Sequence, residues 1–343
     1  MKKVRVAING FGRIGRAFYR LAHGRKEINI VAINDLGEPE NLAYLLRRDT
    51  VYGAFPDTVE VDGSTLVVGK KRIALLSERD PVRLPWSDLN VDVVVEATGV
   101  FETYEKAKAH LAGGAKRVVI TAPAKDEPEA AGVAGATVLM GVNESQLKTC
   151  DISSNASCTT NAGTPLIAIL DEALGIEKAI LNTVHGYTAS QSLVDSPGGI
   201  KDPRRGRAAA QNIVPSTTGA AIATTKAIPQ LTDKFDGVSI RVPVPVGSLV
   251  DITFIAKRPT TVEEVNGILE RAVTLPRWKG IFTATDEPIV SSDIIGNPHA
   301  SIADLSYTKV VGGNLVKVFA WYDNEMGYSN TLLMHVLELG KYV

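Results

Sequence analysis

The segment that most constrains the fold of this chain is a glycine turn close to its N-terminus. The apolar run KVRVAI (3–8) predicts a buried strand and leads directly into NGFGRIGR. Gly10, Gly12 and Gly15 form a G-x-G-x-x-G, and the apolar residues that follow recur at helical spacing to about Gly24. A second apolar run, INIVAIND, ends at Asp35, 20 residues after Gly15. A strand, a glycine turn, a helix and an acid in this order predict a dinucleotide site.

The chemistry of such a turn explains the residue types. Glycines let the backbone approach a pyrophosphate, whose charge is met by free N–H groups at the start of the helix. The carboxylate accepts hydrogen bonds from ribose hydroxyls and repels a 2′-phosphate, so Asp35 favours NAD over NADP. The alternative is a glycine turn that serves packing only, as many do.

The next hundred residues continue the same alternation of strand and helix. The runs VDVVVEATG (91–99), RVVITAP (117–123) and TVLMGV (137–142) predict buried strands, and TYEKAKAHLAGG (103–114) predicts a helix. The pattern is typical of a parallel, doubly wound α/β sheet, which binds ligands at the carboxyl ends of its strands. Thr98, Gly99 and Thr121 lie at such ends, where they contact the cofactor or are simply small residues that end a strand.

Composition excludes several classes of protein. With 37 Lys and Arg against 38 Asp and Glu, the formal charge of -1 provides no global attraction for nucleic acid or an anionic membrane. A primary role as a nucleic-acid or partner-binding protein is therefore disfavoured. The N-terminus lacks the pattern of a signal peptide, no run of 18 apolar residues follows, and two cysteines are too few for a disulfide framework or a zinc site. We expect a cytoplasmic protein with reduced thiols and no metal.

One of the two cysteines has an unusual setting. Cys158 lies in SNASCTTN, among hydroxyls and amides, just before a run with helical spacing that stops near Gly175. The N–H groups and dipole of a helix N-terminus favour a thiolate, which is the nucleophilic form. A lone cysteine is otherwise a small buried hydrophobe. A nucleophile needs a base, and His185 is the best candidate because it ends a strand-like run and opens a long irregular segment.

Two places downstream suit anions. The long segment from Gly186 to about 212 carries Arg205, which binds phosphate, bridges subunits or faces solvent. Thr218 and Gly219 begin another helix-like stretch and offer a hydroxyl and backbone donors. Arg241, inside the apolar GVSIRVPVPV, requires an anionic partner. A dinucleotide site, a thiolate, a base and two anion sites together suggest oxidation of a phosphorylated aldehyde through a thioester, with inorganic phosphate as the second anion.

These motifs resemble those of the phosphorylating glyceraldehyde-3-phosphate dehydrogenase family over nearly the whole chain. The matching stretches are INGFGRIGR, VAINDL, EATGVF, SNASCTTN, TVHGYTASQ, RRGRAAAQNIVPSTTGAA, RVPVPVGSLVD and WYDNEMGYSN. The resemblance implies that Cys158 attacks the aldehyde, that His185 takes the proton, that hydride passes to NAD, and that phosphate cleaves the thioester to an acyl phosphate. It also implies a homotetramer acting on glyceraldehyde 3-phosphate and inorganic phosphate in glycolysis or gluconeogenesis.

The resemblance also assigns residues to subsites. Cofactor contacts would come from the glycine turn, Phe11, Arg13, Ile14, Asp35 and the strand ends above, with Asn324 orienting the carboxamide. The substrate phosphate would meet Thr188, Ser190 and Arg241, and the attacking phosphate would meet the second set, with Arg205 nearby: Ser157, Thr159, Thr218 and Gly219.

Domain bounds and alternatives follow from both lines of reasoning. We predict an N-terminal Rossmann domain over 1–153, completed by a C-terminal helix over 323–343, and an α+β catalytic domain with a mixed sheet over 154–322. The segment 195–203 and Ser196 depart from the family pattern, which leaves the strictness of NAD preference open. The alternatives are an NADP-preferring gluconeogenic form and erythrose-4-phosphate dehydrogenase, a relative that relies on hydrolysis.

Overall fold

In a computed structural model, which describes residues 3–197 and 202–343, the chain divides into two compact units. Unit 1 comprises the residues up to Ala156 together with Ser329–Val343, and unit 2 comprises Ser157–Tyr328. The predicted domain bounds at 153 and 322 lie three and six residues before those of the units. Part of the predicted variable segment 195–203 falls outside the described residues. No helix in the described ranges is long and apolar enough to cross a membrane.

Unit 1 alternates strands and helices along the chain. Its elements are β1 (Val4–Asn9), α1 (Arg13–Ala22), β2 (Ile28–Asn34), α2 (Pro39–Arg47), β3 (Arg48–Asp49), β4 (Gly53–Ala54), β5 (Val59–Asp62), β6 (Thr65–Val68), β7 (Lys71–Leu76), β8 (Val93–Glu96), α3 (Tyr104–Ala112), β9 (Arg117–Ile120), α4 (Pro128–Ala131), β10 (Gly135–Thr137) and β11 (Ile152–Ser154).

The main sheet of unit 1 has nine strands in the order β10-β11-β9-β8-β1-β2-β7-β6-β5. The pairs from β10 to β7 are parallel, and β6 is antiparallel to both β7 and β5. The predicted parallel, doubly wound sheet is therefore confirmed. Its antiparallel extension over 59–76 was not predicted, and its strands are short, with four, four and six residues.

One predicted strand of unit 1 is wrong. TVLMGV (137–142) was expected to be a strand, but β10 ends at Thr137 and the chain turns immediately afterwards. The side chain of Asn143 holds this turn, since its Oδ1 accepts from the Leu139 N–H and its Nδ2 donates to the Thr137 carbonyl. Val138 and Leu139 are buried all the same, and burial of a short apolar run is common to strands and to packed turns.

Unit 2 is built on a second sheet. Its elements are α5 (Cys158–Leu174), β12 (Ile176–Gly186), β13 (Val214–Thr217), α6 (Ala220–Ala227), β14 (Phe235–Val242), β15 (Ser248–Ala256), α7 (Val262–Val273), β16 (Phe282–Thr285), β17 (Ser301–Val311), β18 (Leu315–Tyr322) and α8 (Met326–Leu339), whose residues from Ser329 on belong to unit 1. The last helix is thus shorter at both ends than the predicted 323–343.

The sheet of unit 2 has the strand order β13-β14-β12-β15-β18-β17-β16. The pairs β12–β14 and β16–β17 are parallel and the remaining pairs are antiparallel, which confirms the predicted mixed sheet. Helix α5 is almost wholly buried, as its run of Leu, Ile and Ala requires, and it ends at Gly175 with φ of 69°. This helix and β12 place the two residues on which the chemistry depends.

Candidate active site

The glycine turn of unit 1 has the geometry that a dinucleotide needs. Gly10 has φ of 94°, and a Cβ there would stand 2.7 Å from the backbone of Ala97. A Cβ on Gly15 would stand 2.2 Å from the Gly10 carbonyl oxygen, so this glycine lets α1 pack closely on the turn. Gly12 precedes the first residue of α1 and has open space where a Cβ would be. The turn therefore presents bare backbone and a helix start to a ligand.

A cleft of about 340 Å³ lies beside this turn. It is lined by the ends of β1, β2 and β8, among them Asn9, Gly10, Gly12, Asp35, Ala97 and Thr98. The Asp35 carboxylate is held in place because its Oδ2 accepts from the Phe11 N–H at 2.7 Å and its Oδ1 accepts from the Gly37 N–H at 2.8 Å. The carboxylate that the sequence places at the second strand end thus faces the same cleft as the glycine turn.

Other predicted cofactor residues of unit 1 lie at different depths. The Phe11 side chain is fully buried, and only its backbone takes part in the site. Arg13 forms an ion pair with Asp49 at 2.6 Å, and Ile14 follows it in the first turn of α1. Thr121 donates from its hydroxyl to the Glu96 carbonyl, and Gly99 has φ of 71° in the turn after β8. The strand-end threonine that lines the cleft is Thr98.

In unit 2, Cys158 and His185 lie together. Cys158 is the first residue of α5, and Ser157 caps this helix, with its Oγ accepting from the Thr160 N–H at 3.1 Å. His185 lies near the end of β12, and its Nε2 is 3.3 Å from the Cys158 Sγ. The sulfur and the imidazole nitrogen are therefore in direct contact, as nucleophile and base require.

The protonation of this pair differs from the expected thiolate. Burial raises the pKa of the Cys158 thiol, although Arg241 and hydrogen bonds at Thr159 oppose this rise. Burial and the neighbouring Arg241 guanidinium lower the pKa of His185 to about 3. Both shifts favour a thiol beside a neutral imidazole over a thiolate beside an imidazolium.

Arg241 contacts the far side of the imidazole. Its Nη1 lies 2.6 Å from His185 Nδ1 and donates to the Gly186 carbonyl at 3.1 Å, while that carbonyl is 2.6 Å from Nδ1. A proton on Nδ1 bonds to Gly186 and leaves Nε2 free to accept from the thiol. A bare Nδ1 accepts from Arg241 and leaves the proton on Nε2, facing the sulfur. Only the first tautomer has a free Nε2 that can take the thiol proton, and this uptake gives an imidazolium with a proton on both ring nitrogens.

The guanidinium groups of Arg241 and Arg205 form a pair of positive charges in unit 2, the arginine pair. Neither guanidinium is paired with a carboxylate in the part of the chain that the structure describes. The charge of Arg205 is felt at Arg241, and the charges of both are felt at His185. Arg205 donates to the Ser216 Oγ at 2.8 Å and to the Ser190 Oγ at 3.4 Å, and Ser190 bonds to Thr188 at 2.9 Å. Two arginines and two hydroxyls make a site for an anion.

The second predicted anion set is only partly brought together. Gly219 caps α6 and has open space around its Cα, and the Thr218 Oγ1 accepts from the Ala220 N–H. The hydroxyls of Ser157 and Thr159 already have partners, since the first bonds to Thr160 and the second to the Tyr322 hydroxyl at 2.9 Å.

Sequence reasoning missed two residues at this site. The Tyr322 hydroxyl bonds to both Thr159 and Thr183, and its ring stands edge-on to His185 at 5.9 Å. Ser248 donates to the Asn324 Oδ1 at 2.9 Å, and the Gly247 N–H donates to the same oxygen, so the NH2 of Asn324 is the end that can bind a ligand. Tyr322 is visible in sequence only as an aromatic residue at a strand end, two positions before Asn324.

Within the described ranges, no cluster of three or more His, Cys, Asp and Glu side chains is placed to hold a metal ion.

A doubly wound unit whose glycine turn faces a tethered acid, joined to a unit with a thiol–imidazole pair, defines an NAD-dependent oxidoreductase. The family model for the glyceraldehyde 3-phosphate dehydrogenase NAD binding domain matches residues 4–104, and that for the C-terminal domain of the same enzyme matches residues 157–324. The chain belongs to the glyceraldehyde-3-phosphate dehydrogenase family, and its cofactor is NAD.

Curated relatives agree over nearly the full length. The glyceraldehyde-3-phosphate dehydrogenase of Thermotoga maritima is 52% identical over 332 residues, covering 96% of this chain and 97% of the relative. That of Mycobacterium avium is 48% identical, covering 98% and 99%, and that of Streptomyces coelicolor is 47% identical, covering 96% of both chains.

Proposed function

We propose that this chain oxidises D-glyceraldehyde 3-phosphate with NAD and inorganic phosphate to 1,3-bisphosphoglycerate. The observation that carries the proposal is the 3.3 Å contact between the Cys158 Sγ and His185 Nε2, next to the arginine pair of Arg241 and Arg205. The thiol supplies a nucleophile for the aldehyde, the imidazole a base, and the arginines a site for the phosphate of the substrate.

The first half of the reaction forms a bond to sulfur. The Cys158 Sγ adds to the aldehyde carbon while its proton goes to His185 Nε2, and a thiohemiacetal results. The imidazolium then faces the oxygen of this adduct and stabilises its negative charge. The nicotinamide of NAD would supply the acceptor for the hydride on this carbon, and loss of the hydride converts the adduct to a thioester on Cys158.

The second half breaks the carbon–sulfur bond. An oxygen of inorganic phosphate attacks the thioester carbonyl, the acyl phosphate leaves, and the thiolate of Cys158 regains its proton from His185. The substrate phosphate is assigned to Thr188, Ser190 and Arg241, and the attacking phosphate to the four residues Ser157, Thr159, Thr218 and Gly219, with Arg205 nearby. Support is strongest for the first set, because Ser190 bonds to Thr188 and to Arg205, and the Arg241 guanidinium has no carboxylate partner among the described residues.

On the cofactor side, we assign the pyrophosphate to the turn at Gly10, Gly12 and Gly15 and the adenosine ribose to Asp35. The support is the open space at Gly12 and the orientation of the tethered carboxylate into the cleft. We assign the carboxamide of the nicotinamide to the NH2 of Asn324, because the amide oxygen of this residue is already occupied.

One observation is compatible with a second activity, hydrolysis of the thioester. The hydroxyls of Ser157 and Thr159 already bond to the hydroxyls of Thr160 and Tyr322, with which an attacking phosphate would have to compete. Hydrolysis of the thioester, as in erythrose-4-phosphate dehydrogenase, needs no such site.

A steady-state assay that crosses two cofactors with the presence and absence of phosphate tests the proposal. We expect NADH formation from glyceraldehyde 3-phosphate to require phosphate or arsenate and to be faster with NAD than with NADP. Equal rates with and without phosphate at saturating aldehyde would establish the hydrolytic alternative instead. Mass spectrometry of enzyme quenched during turnover should find a three-carbon acyl group on Cys158.

The assembly and location of the protein are also proposals. The adjacent strands β12 and β14 leave Ile180 and Val238 more than half exposed, which is typical of a surface that a partner covers, and we propose the homotetramer expected from the family. Sedimentation equilibrium tests this. A cytoplasmic location is proposed because the mechanism requires Cys158 as a free thiol, which a reducing compartment maintains.

A further inference from the structure

The strongest feature of the molecule that the reaction does not use is a buried carboxylate under the cofactor cleft of unit 1. Glu96 is the last residue of β8 and only 2% exposed, and it is the register partner of Asn9, the last residue of β1. Its two oxygens accept four hydrogen bonds. Since an unpaired buried charge is costly, this arrangement requires an explanation.

The four donors come from the two strand ends that line the cleft and from α3. The Glu96 Oε1 accepts from the N–H of Thr98 at 2.9 Å and from its hydroxyl, and the Oε2 accepts from the Asn9 Nδ2 at 2.5 Å. The fourth donor is His110 Nε2 at 2.9 Å. Asn9 and Thr98 both line the cleft, whereas Glu96 and His110 do not. The Glu96 carboxylate thus links two strand ends that line the cleft, although it does not line the cleft itself.

The tautomer of His110 follows from its other partner. The Trp86 Nε1–H, which can only donate, bonds to His110 Nδ1 at 3.0 Å. Nδ1 is therefore an acceptor, and the proton of the neutral ring is on Nε2, pointing at Glu96. All four donors to Glu96 are uncharged, so its negative charge is stabilised by hydrogen bonds alone.

The position of these hydrogen bonds indicates their effect on the cleft. Gly10 follows Asn9 directly, and the backbone at Gly10 approaches that of Ala97 and Thr98 so closely that a Cβ would stand 2.7 Å away. The Asn9 Oδ1 in turn accepts from the Asn34 Nδ2 at 2.7 Å, which extends the network to the end of β2, next to Asp35. The ends of three strands that bear the glycine turn, the strand-end threonine and the ribose acid are linked through Glu96 and Asn9.

We propose that Glu96, oriented by His110, is a positioning residue for NAD: it holds the cleft in its binding shape before the cofactor arrives. A preformed site avoids the ordering cost that binding would otherwise include. This inference rests on the assignment of the cleft to NAD.

The structure offers a matched pair of variants at His110. An asparagine amide falls near the position of Nδ1, so H110N keeps an acceptor for Trp86 and loses the donor to Glu96. A glutamine amide falls near Nε2, so H110Q keeps the donor to Glu96 and loses the acceptor for Trp86. The two variants remove one buried hydrogen bond each, and they differ in which end of the network is broken.

The NAD dissociation constant, measured by calorimetry on the purified full-length protein, is the readout. We expect H110N to raise this constant by about tenfold and H110Q by no more than about threefold, with similar losses in melting temperature without cofactor. The KM for NAD should rise in H110N with little change in the KM for the aldehyde. Equal NAD affinity in the two variants, whether both normal or both weak, would overturn the proposal.

A second variant covers the case in which H110N fails to fold. E96Q is isosteric but turns an NH2 towards two of the four donors, and it should weaken NAD binding at least as much as H110N. An E96Q protein that folds and binds NAD normally would overturn the proposal. The assignment of the cleft to NAD fails in a different way: the D35N variant, with Glu96 and His110 intact, would then have the same preference for NAD over NADP as wild type.

Discussion

His335 makes the stability of unit 1 sensitive to acid. This residue of α8 is completely buried, and its Nε2 is 2.7 Å from the Ser153 Oγ while its Nδ1 is 3.2 Å from the Asn155 Oδ1. Burial lowers the pKa of His335 from the ordinary 6.5 to about 3. Between these two values the unfolded chain takes up a proton that the folded protein excludes. The stability that the neutral ring contributes is therefore complete above the unfolded pKa and is lost as pH falls below it.

The size of the loss follows from the two pKa values. Protonation of His335 in the unfolded chain alone lowers the free energy of unfolding by about 2 kcal/mol at about pH 5 relative to about pH 7.5. The variant H335Q has no ring to protonate. Its free energy of unfolding relative to that of wild type should therefore rise by about 2 kcal/mol between about pH 7.5 and about pH 5. Urea unfolding at the two pH values, followed by circular dichroism, measures both free energies.

The matched control is S153A, which removes the hydroxyl partner of the ring but leaves the imidazole buried. Its loss of stability should be about the same at both pH values, because it removes a contact and not a titrating group. If H335Q also differs from wild type by the same amount at both, within about 0.5 kcal/mol, the ring is not excluded from protonation and the reasoning is refuted.

Three further outcomes test the site. C158S should lower turnover by about a thousandfold or more while NAD binding, measured by calorimetry, remains near that of the wild type. R241Q should shift the pH profile of Cys158 alkylation to higher pH, because the charge of Arg241 lowers the pKa of the thiol. R241K keeps the charge and should keep the profile. No shift in R241Q would contradict the assigned contact. D35N should reduce the ratio of kcat/KM with NAD to that with NADP by about tenfold, and an unchanged ratio would remove Asp35 from the ribose site.

The parts of the fold that sequence predicts well are those with a local cause. The strand, glycine turn and first helix follow from residue types at fixed spacing, because Gly10 and Gly15 meet backbone that any side chain would strike. The start of α5 follows from Ser157, whose hydroxyl caps the helix, and its end from Gly175. Each of these signals is contained in a few consecutive residues.

The parts that sequence missed depend on partners far along the chain. His110 lies in the last turn of α3, inside the predicted helix 103–114, but its bonds to Trp86 and Glu96 join residues 24 and 14 positions away. No sequence pattern around His335 indicates its role, since its partners are about 180 residues away. A solitary histidine in a helix has the same local pattern whether it faces water or a buried hydroxyl, so only the folded structure distinguishes the two.

The charge state of Cys158 shows this limit at the site itself. The helix N-terminus favours a thiolate, but burial of the sulfur raises its pKa, and a neutral thiol beside a neutral imidazole avoids the desolvation cost of a buried ion pair. Transfer of the proton to His185 Nε2 creates an imidazolium whose Nδ1 is 2.6 Å from the Arg241 guanidinium. An anion at Arg241, where we propose that the substrate phosphate binds, would offset that repulsion and favour the proton transfer to His185. On this proposal the reactive state depends on a charge that the substrate brings, and no residue pattern around Cys158 encodes it.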